Sequence, residues 1–169
     1  MTVGTCRATA QVAPRVLPVR DQVEIFTDAL LATAAMQEHY GLPKIFVLIP
    51  LTEVDVTDST ASKEGRRLVA LDTAVSGALL RAGAVVGLCV PSPEARRCAN
   101  EQRGVGVFLS TFGASWSDSA RVNVQVTLQG MQAGHDFGVV VGAPRHYFWS
   151  FIRVDGDWRL SMPNSRPRP

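Results

Sequence analysis

Two histidine pairs are the residues best suited to chemistry. His135-Asp136 places an imidazole next to a carboxylate in a glycine-bounded loop, the pairing a general base requires. His146-Tyr147 follows a short apolar stretch later, so a fold that brings the two loops together would create a cluster in which His135 or His146 is the base, Asp136 orients a ring and Tyr147 donates a hydrogen bond. The alternative for Asp136 is a turn residue bonding its own backbone before the next strand. Without a second ligand pair at recognised spacing, the histidines predict no metal site, and no cofactor motif accompanies them.

A second candidate is a row. Arg121, Asn123, Gln125 and Thr127 alternate with Val122, Val124, Val126 and Leu128, so one strand carries four polar side chains on one face and an apolar set on the other. Such a row can hydrogen-bond a small molecule in a pocket between sheet and helices, or simply face water. Other charged groups read as surface. His39 ends a helix, where a cation suits the dipole. Glu53, Asp55 and Asp58 lack the glycine and terminal glutamate of a calcium loop, and Gly104-Val-Gly106 lacks the basic residue and helix start of a phosphate loop. Arg96, Arg97 and Arg103 form an ordinary solvated run, and no Gly-x-Ser-x-Gly nucleophile turn occurs.

The elements that must position these residues end in a hairpin. From Tyr147 to Met162 the chain alternates around Asp155-Gly156, a two-residue turn suited to positive φ at both positions. Pairing Val154 with Asp157 sets Arg153 opposite Trp158, Phe151 opposite Leu160 and Trp149 opposite Met162. Trp149, Phe151, Trp158 and Leu160 are then expected to be buried on one face, with Ser150, Arg159 and Ser161 on the other and Arg153 stacked on the indole.

Earlier segments supply helices and further strands. Asp21 with Glu24 forms a capping box before Val23, Phe26, Leu30 and Ala34, and Gly41 and Pro43 stop that helix. Lys44 to Ile49 and Ala84 to Val90 read as buried strands. Between them lie Thr52 to Val56, which continues the first strand or starts a second one, a polar loop (Asp58 to Gly65) and a helix from near Arg66 to Ala82 with Leu68, Leu71, Val75 and Leu79 or Ala78 on its stripe. If the two strands run parallel, that helix is a crossover. Gly104 to Thr111, Ala120 to Leu128 and a short strand from Phe137 to Val141 complete the sheet. The fold class is α+β: two main helices on a mostly antiparallel, curved sheet of about six or seven strands, with a strand-helix-strand unit in the first half.

This order, and the ending Phe151-Ile-Arg-Val-Asp-Gly-Asp-Trp-Arg-Leu160, resembles the nuclear transport factor 2-like proteins, in which a curved sheet wraps around helices. The strand-helix-strand unit departs from that pattern, standing where a second helix and an early hairpin are usual. The resemblance implies a cone-shaped fold that hosts binding proteins and enzymes alike, and it assigns no catalytic residue. The closing segment is similar to those of assorted bacterial proteins as well.

Composition bounds the class. The chain has 169 residues, 46% hydrophobic and 19% charged, with a formal net charge of +2, which suits one globular domain and steers no strong partner. Residues 1–20 are expected to be a flexible arm, 21–162 the domain and 163–169 a disordered tail. Arginines are scattered and lysine occurs only at Lys44 and Lys63, so nucleic-acid binding is not expected. No apolar run is long enough to span a bilayer and the first residues lack a secretory pattern, which makes the cytoplasm the expected location. Cys6, Cys89 and Cys98 are an odd set: Cys89 reads as a small core residue, and Cys98 can fold back toward it across the Pro91-Ser-Pro93 loop.

Three functions follow as expectations. The first is a small-ligand-binding or accessory protein without catalysis. The second is a lyase, isomerase or hydrolase using His135 or His146. The third is a homodimeric interaction module whose apolar strands leave an edge for a second copy.

Overall fold

The computed structural model describes residues 17–42, 44–50, 71–90, 98–99, 101–111, 121–128 and 144–161. Within them the chain folds as α+β. The order is α1 (Val19–His39), β1 (Phe46–Leu48), α2 (Thr73–Arg81), β2 (Gly87–Leu88), β3 (Val105–Thr111), β4 (Arg121–Leu128), β5 (Arg145–Val154) and β6 (Asp157–Ser161). The six strands form one open sheet in the order β2-β1-β3-β4-β5-β6. β1 runs parallel to both β2 and β3, and every pairing from β3 to β6 is antiparallel. The parallel pairing that makes the segment between β1 and β2, with the second helix, a crossover is therefore present. The expected segments Thr52 to Val56, Asp58 to Gly65 and Phe137 to Val141 lie outside the described residues, as do residues 1–16 and 163–169.

Both helices stop as their glycines dictate. After α1 the amides of Gly41 and Leu42 bond the carbonyls of Glu38 and Gln37; after α2 those of Gly83 and Ala84 bond Leu80 and Leu79. This closes the last turn by a left-handed residue, with φ of 66° at Gly41 and 72° at Gly83.

The helix starts differ from expectation. Asp21 does not cap α1, which begins earlier, at Val19, inside the expected N-terminal arm. Pro18, already fixed in φ, accepts from the Gln22 amide, and the Gln22 side chain reaches back to the Leu17 carbonyl. Asp21 is instead buried against the hairpin, where its Oδ2 lies 3.7 Å from Arg153 Nη1. α2 is likewise shorter than the periodicity predicts, because Asp72 caps it by accepting from the Ala74 amide at 2.7 Å. Leu71 is buried but precedes the helix, while Val75 and Leu79 hold the stripe.

The core has two parts, one on each side of the sheet. Both helices cover the first side, where Ile25, Phe26, Leu30, Val75 and Leu79 pack on Phe46, Leu48, Val107, Leu109, the even-numbered residues of β4, Trp149, Phe151 and Trp158. On the other side Val47, Ile49, Cys89 and Ala99 form a smaller cluster, with Cys98 and Phe108 at its margin. A disulfide between Cys89 and Cys98, Cα atoms 5.9 Å apart, ties this cluster together. Cys89 is thus a bonded half-cystine rather than a free core thiol. β2 is also not a buried strand: it forms an edge, with Val86, Leu88 and Val90 exposed.

The closing hairpin has the register its sequence dictates, from Val154 opposite Asp157 to Ser150 opposite Ser161. Asp155 and Gly156 have φ of 55° and 96°, the paired positive values of a two-residue turn. Trp149, Phe151 and Trp158 are buried as expected. Leu160 is 40% exposed instead, because it sits on the outermost strand with a neighbouring strand on one side only.

Candidate functional site

Alternation splits β5 into two sets of side chains. Tyr147, Trp149 and Phe151 point to the helices, and His146, Phe148, Ser150 and Ile152 point away. On the helix side two side chains of β5 bond α1, while Trp158 Nε1, on the same side, is buried without a hydrogen-bond partner among the described residues. Trp149 Nε1 donates to Thr33 Oγ1 at 2.9 Å, Thr33 donates on to the Ala29 carbonyl, and Gln37 Nε2 donates to the Tyr147 hydroxyl at 2.8 Å. The Tyr147 and Trp149 rings stack 6.5 Å apart.

The polar row of β4 lies on the side away from the helices. It does not face a pocket between helix and strand, because burying Val122, Val124, Val126 and Leu128 takes the helix-facing positions. The register of β4 with β5 then places Thr127 opposite His146, Gln125 opposite Phe148, Asn123 opposite Ser150 and Arg121 opposite Ile152. These pairs make a built surface. Gln125 Nε2 donates to Thr127 Oγ1 at 2.8 Å and lies 3.0 Å from His146 Nδ1, which is also 3.0 Å from Thr127 Oγ1. An amide nitrogen only donates, so toward Gln125 the Nδ1 atom is the acceptor. Ser150 donates to Asn123 Oδ1 at 2.7 Å.

Gln125 is 7% exposed, so its amide is shielded from water. Arg121 is exposed, and Asn123 and Thr127 are half-buried. His146 therefore joins the row Arg121, Asn123, Gln125 and Thr127, two candidates that the sequence presents separately. Tyr147 does not join them, because adjacent residues of a strand face opposite sides. His135 and Asp136 lie outside the described residues, as do Glu53, Asp55, Asp58, Arg96 and Arg97.

His39 is exposed at the end of α1, its ring edge-on to Tyr40 at 5.0 Å. Among the described residues no three His, Cys, Asp or Glu side chains gather as metal ligands. None of the described helices is long and apolar enough to cross a membrane.

Sequence reasoning passed over Phe148, Ser150 and Arg159 as site residues. The available signal was parity: once the hairpin register is set, all three share a face, and pairing β4 antiparallel to β5 adds its polar row to them. No protein family, curated protein or solved structure matches the chain.

Proposed function

We propose that the face of β4 and β5 turned away from the helices binds a small polar molecule, and that the chain is a non-catalytic ligand-binding or accessory protein. The observation that carries this reading is the convergence of Gln125, Thr127 and His146 within 3.0 Å. Both helices pack on the other side of the sheet, so this polar cluster holds neither of them in place, which supports recognition as its role. The resemblance of the closing hairpin to nuclear transport factor 2-like proteins supports a binding role and an enzymatic one equally. The Cys89–Cys98 bond favours an oxidising compartment over the cytoplasm expected from sequence.

Thermal-shift screening of the full chain against a library of neutral and anionic metabolites tests the proposal, since any molecule that binds only the native state raises Tm. We expect stabilising compounds whose effect disappears in Gln125→Ala. A library without any stabilising compound, or stabilisation that survives the substitution, would contradict it.

Two specific observations favour other readings. The bonds at Nδ1 hold the His146 ring in one orientation, as a general base requires, so a hydrolase, lyase or isomerase screen comparing wild type with His146→Ala addresses the enzymatic reading. The exposed Val86, Leu88 and Val90 leave the β2 edge apolar and uncharged, which suits pairing with a second copy. Light scattering coupled to size exclusion separates dimer from monomer.

A further inference from the structure

We infer that the end of this polar face nearest the Asp155-Gly156 turn is an anion subsite, and that the ligand is an organic phosphate carrying a flat ring, the chemistry of a mononucleotide. The inference rests on the ligand-binding reading above and specifies what that face takes.

Arg121, Ile152 and Arg159 stand in one cross-strand row, since Arg121 pairs with Ile152 and Ile152 with Arg159. All three share the face of Gln125, opposite the helices. With neighbouring strands about 4.8 Å apart, the two arginine backbones lie roughly 10 Å from one another. Ile152 between them offers neither guanidinium a partner. Both arginines are exposed, and among the described residues neither guanidinium makes a hydrogen bond or ion pair. Arg153 on the opposite face differs: it lies 3.7 Å from Asp21, donates to the Gly156 carbonyl and stacks over Trp158.

Two long side chains flanking an aliphatic one can lean together over it and share a tetrahedral oxyanion, with several N–H donors from each fork. Asp157, two residues before Arg159 on the same face, forms no ion pair with it, so its carboxylate does not occupy the fork.

The rest of the face sets the remainder of the ligand. The next row holds Asn123, Ser150 and Ser161, hydroxyl and amide groups suited to a polyhydroxy linker. One row further, roughly 13 Å from the arginines at strand spacing, Phe148 is 45% exposed beside Gln125. An aromatic ring at that position gives a flat heterocycle a surface to stack on. The amide, hydroxyl and imidazole of Gln125, Thr127 and His146 lie at its edge.

Isothermal titration of the full chain with adenosine 5′-monophosphate, adenosine and inorganic phosphate tests this. The monophosphate should bind at least tenfold tighter than adenosine, and the difference should shrink as salt is raised. Arg121→Ala and Arg159→Ala should each weaken the monophosphate by about tenfold, as expected for loss of one charge-assisted contact, and leave adenosine unchanged. Unfolding midpoints of both variants should match wild type, because the side chains are exposed. No binding of the monophosphate, equal binding of monophosphate and adenosine, or indifference to both substitutions would overturn the inference. If adenosine binding is lost in Gln125→Ala while the arginine variants change nothing, the ligand face stands and the anion subsite falls. Loss of neither overturns both.

Discussion

The two faces of β4 and β5 are made from alternate residues of the same strands, yet they treat polar groups in opposite ways. On the helix face, two side chains of β5 bond α1: Trp149 with Thr33, and Tyr147 with Gln37. On the other face Gln125, Thr127 and His146 bond one another, and Ser150 bonds Asn123, across strands that the backbone ladder already joins. The first set fixes how a helix docks. The second docks neither helix and pre-orders a surface. What the difference teaches is that the same alternation can spend one parity on docking a helix and leave the other for the recognition proposed above.

The sharpest way to break this comparison is to remove a helix-face anchor. Trp158 is 4% exposed beneath α1, so Trp158→Ala should cost about 3–5 kcal/mol in urea unfolding. A cost below about 1 kcal/mol would mean that the helix face is not where stability resides.

The smaller core on the other side should matter next. Serine at both Cys89 and Cys98 opens a loop with a sequence separation of 9, for which chain entropy gives about 2–3 kcal/mol. Counting thiols in the purified, denatured protein checks the premise: one reactive thiol, Cys6, is expected without reductant and three after it. Three thiols before reduction would remove both the staple and the case for an oxidising compartment.

The smallest effect is electrostatic. Asp28 on α1 has its carboxyl held above the ordinary range, chiefly by burial and then by Glu24 one turn earlier. A raised native value means that the folded state binds this proton more tightly than the unfolded chain does. The stabilisation from that proton is complete below the unfolded value and is lost as pH rises through the native one. Asp28→Asn should therefore leave stability unchanged in acid and raise it slightly at neutral pH, by the few tenths of a kcal/mol typical of a relieved like-charge pair, with Tm following. A lower Tm at neutral pH would contradict the assignment.

Features written in local chemistry were legible in the sequence. Asp155-Gly156 dictates its own turn, and the alternation on either side dictates the register, so Trp149, Phe151 and Trp158 could be placed without a structure. Gly41 and Gly83 stop their helices for the same reason. Features that depend on a distant partner were not legible. Asp21 looks like a cap until Arg153, far along the chain, is brought beside it. Leu160 looks like core until the sheet is seen to end there. The site was legible by halves: the polar row by its period of two, and His146 by its type. Their meeting depends on the β4–β5 register, which no local sequence signal encodes, and the side on which the row lies depends on where two helices settle.

The claim that the two faces divide folding from recognition is tested most directly by one doubly read variant, Gln125→Ala with Thr127→Val, followed by urea unfolding and by binding of a compound that stabilises the wild type. The account predicts unfolding within about 1 kcal/mol of wild type, the scale of one net hydrogen bond, together with loss of binding. A variant that unfolds several kcal/mol more easily while its folded fraction still binds the compound would show that the cluster serves the fold and not a ligand.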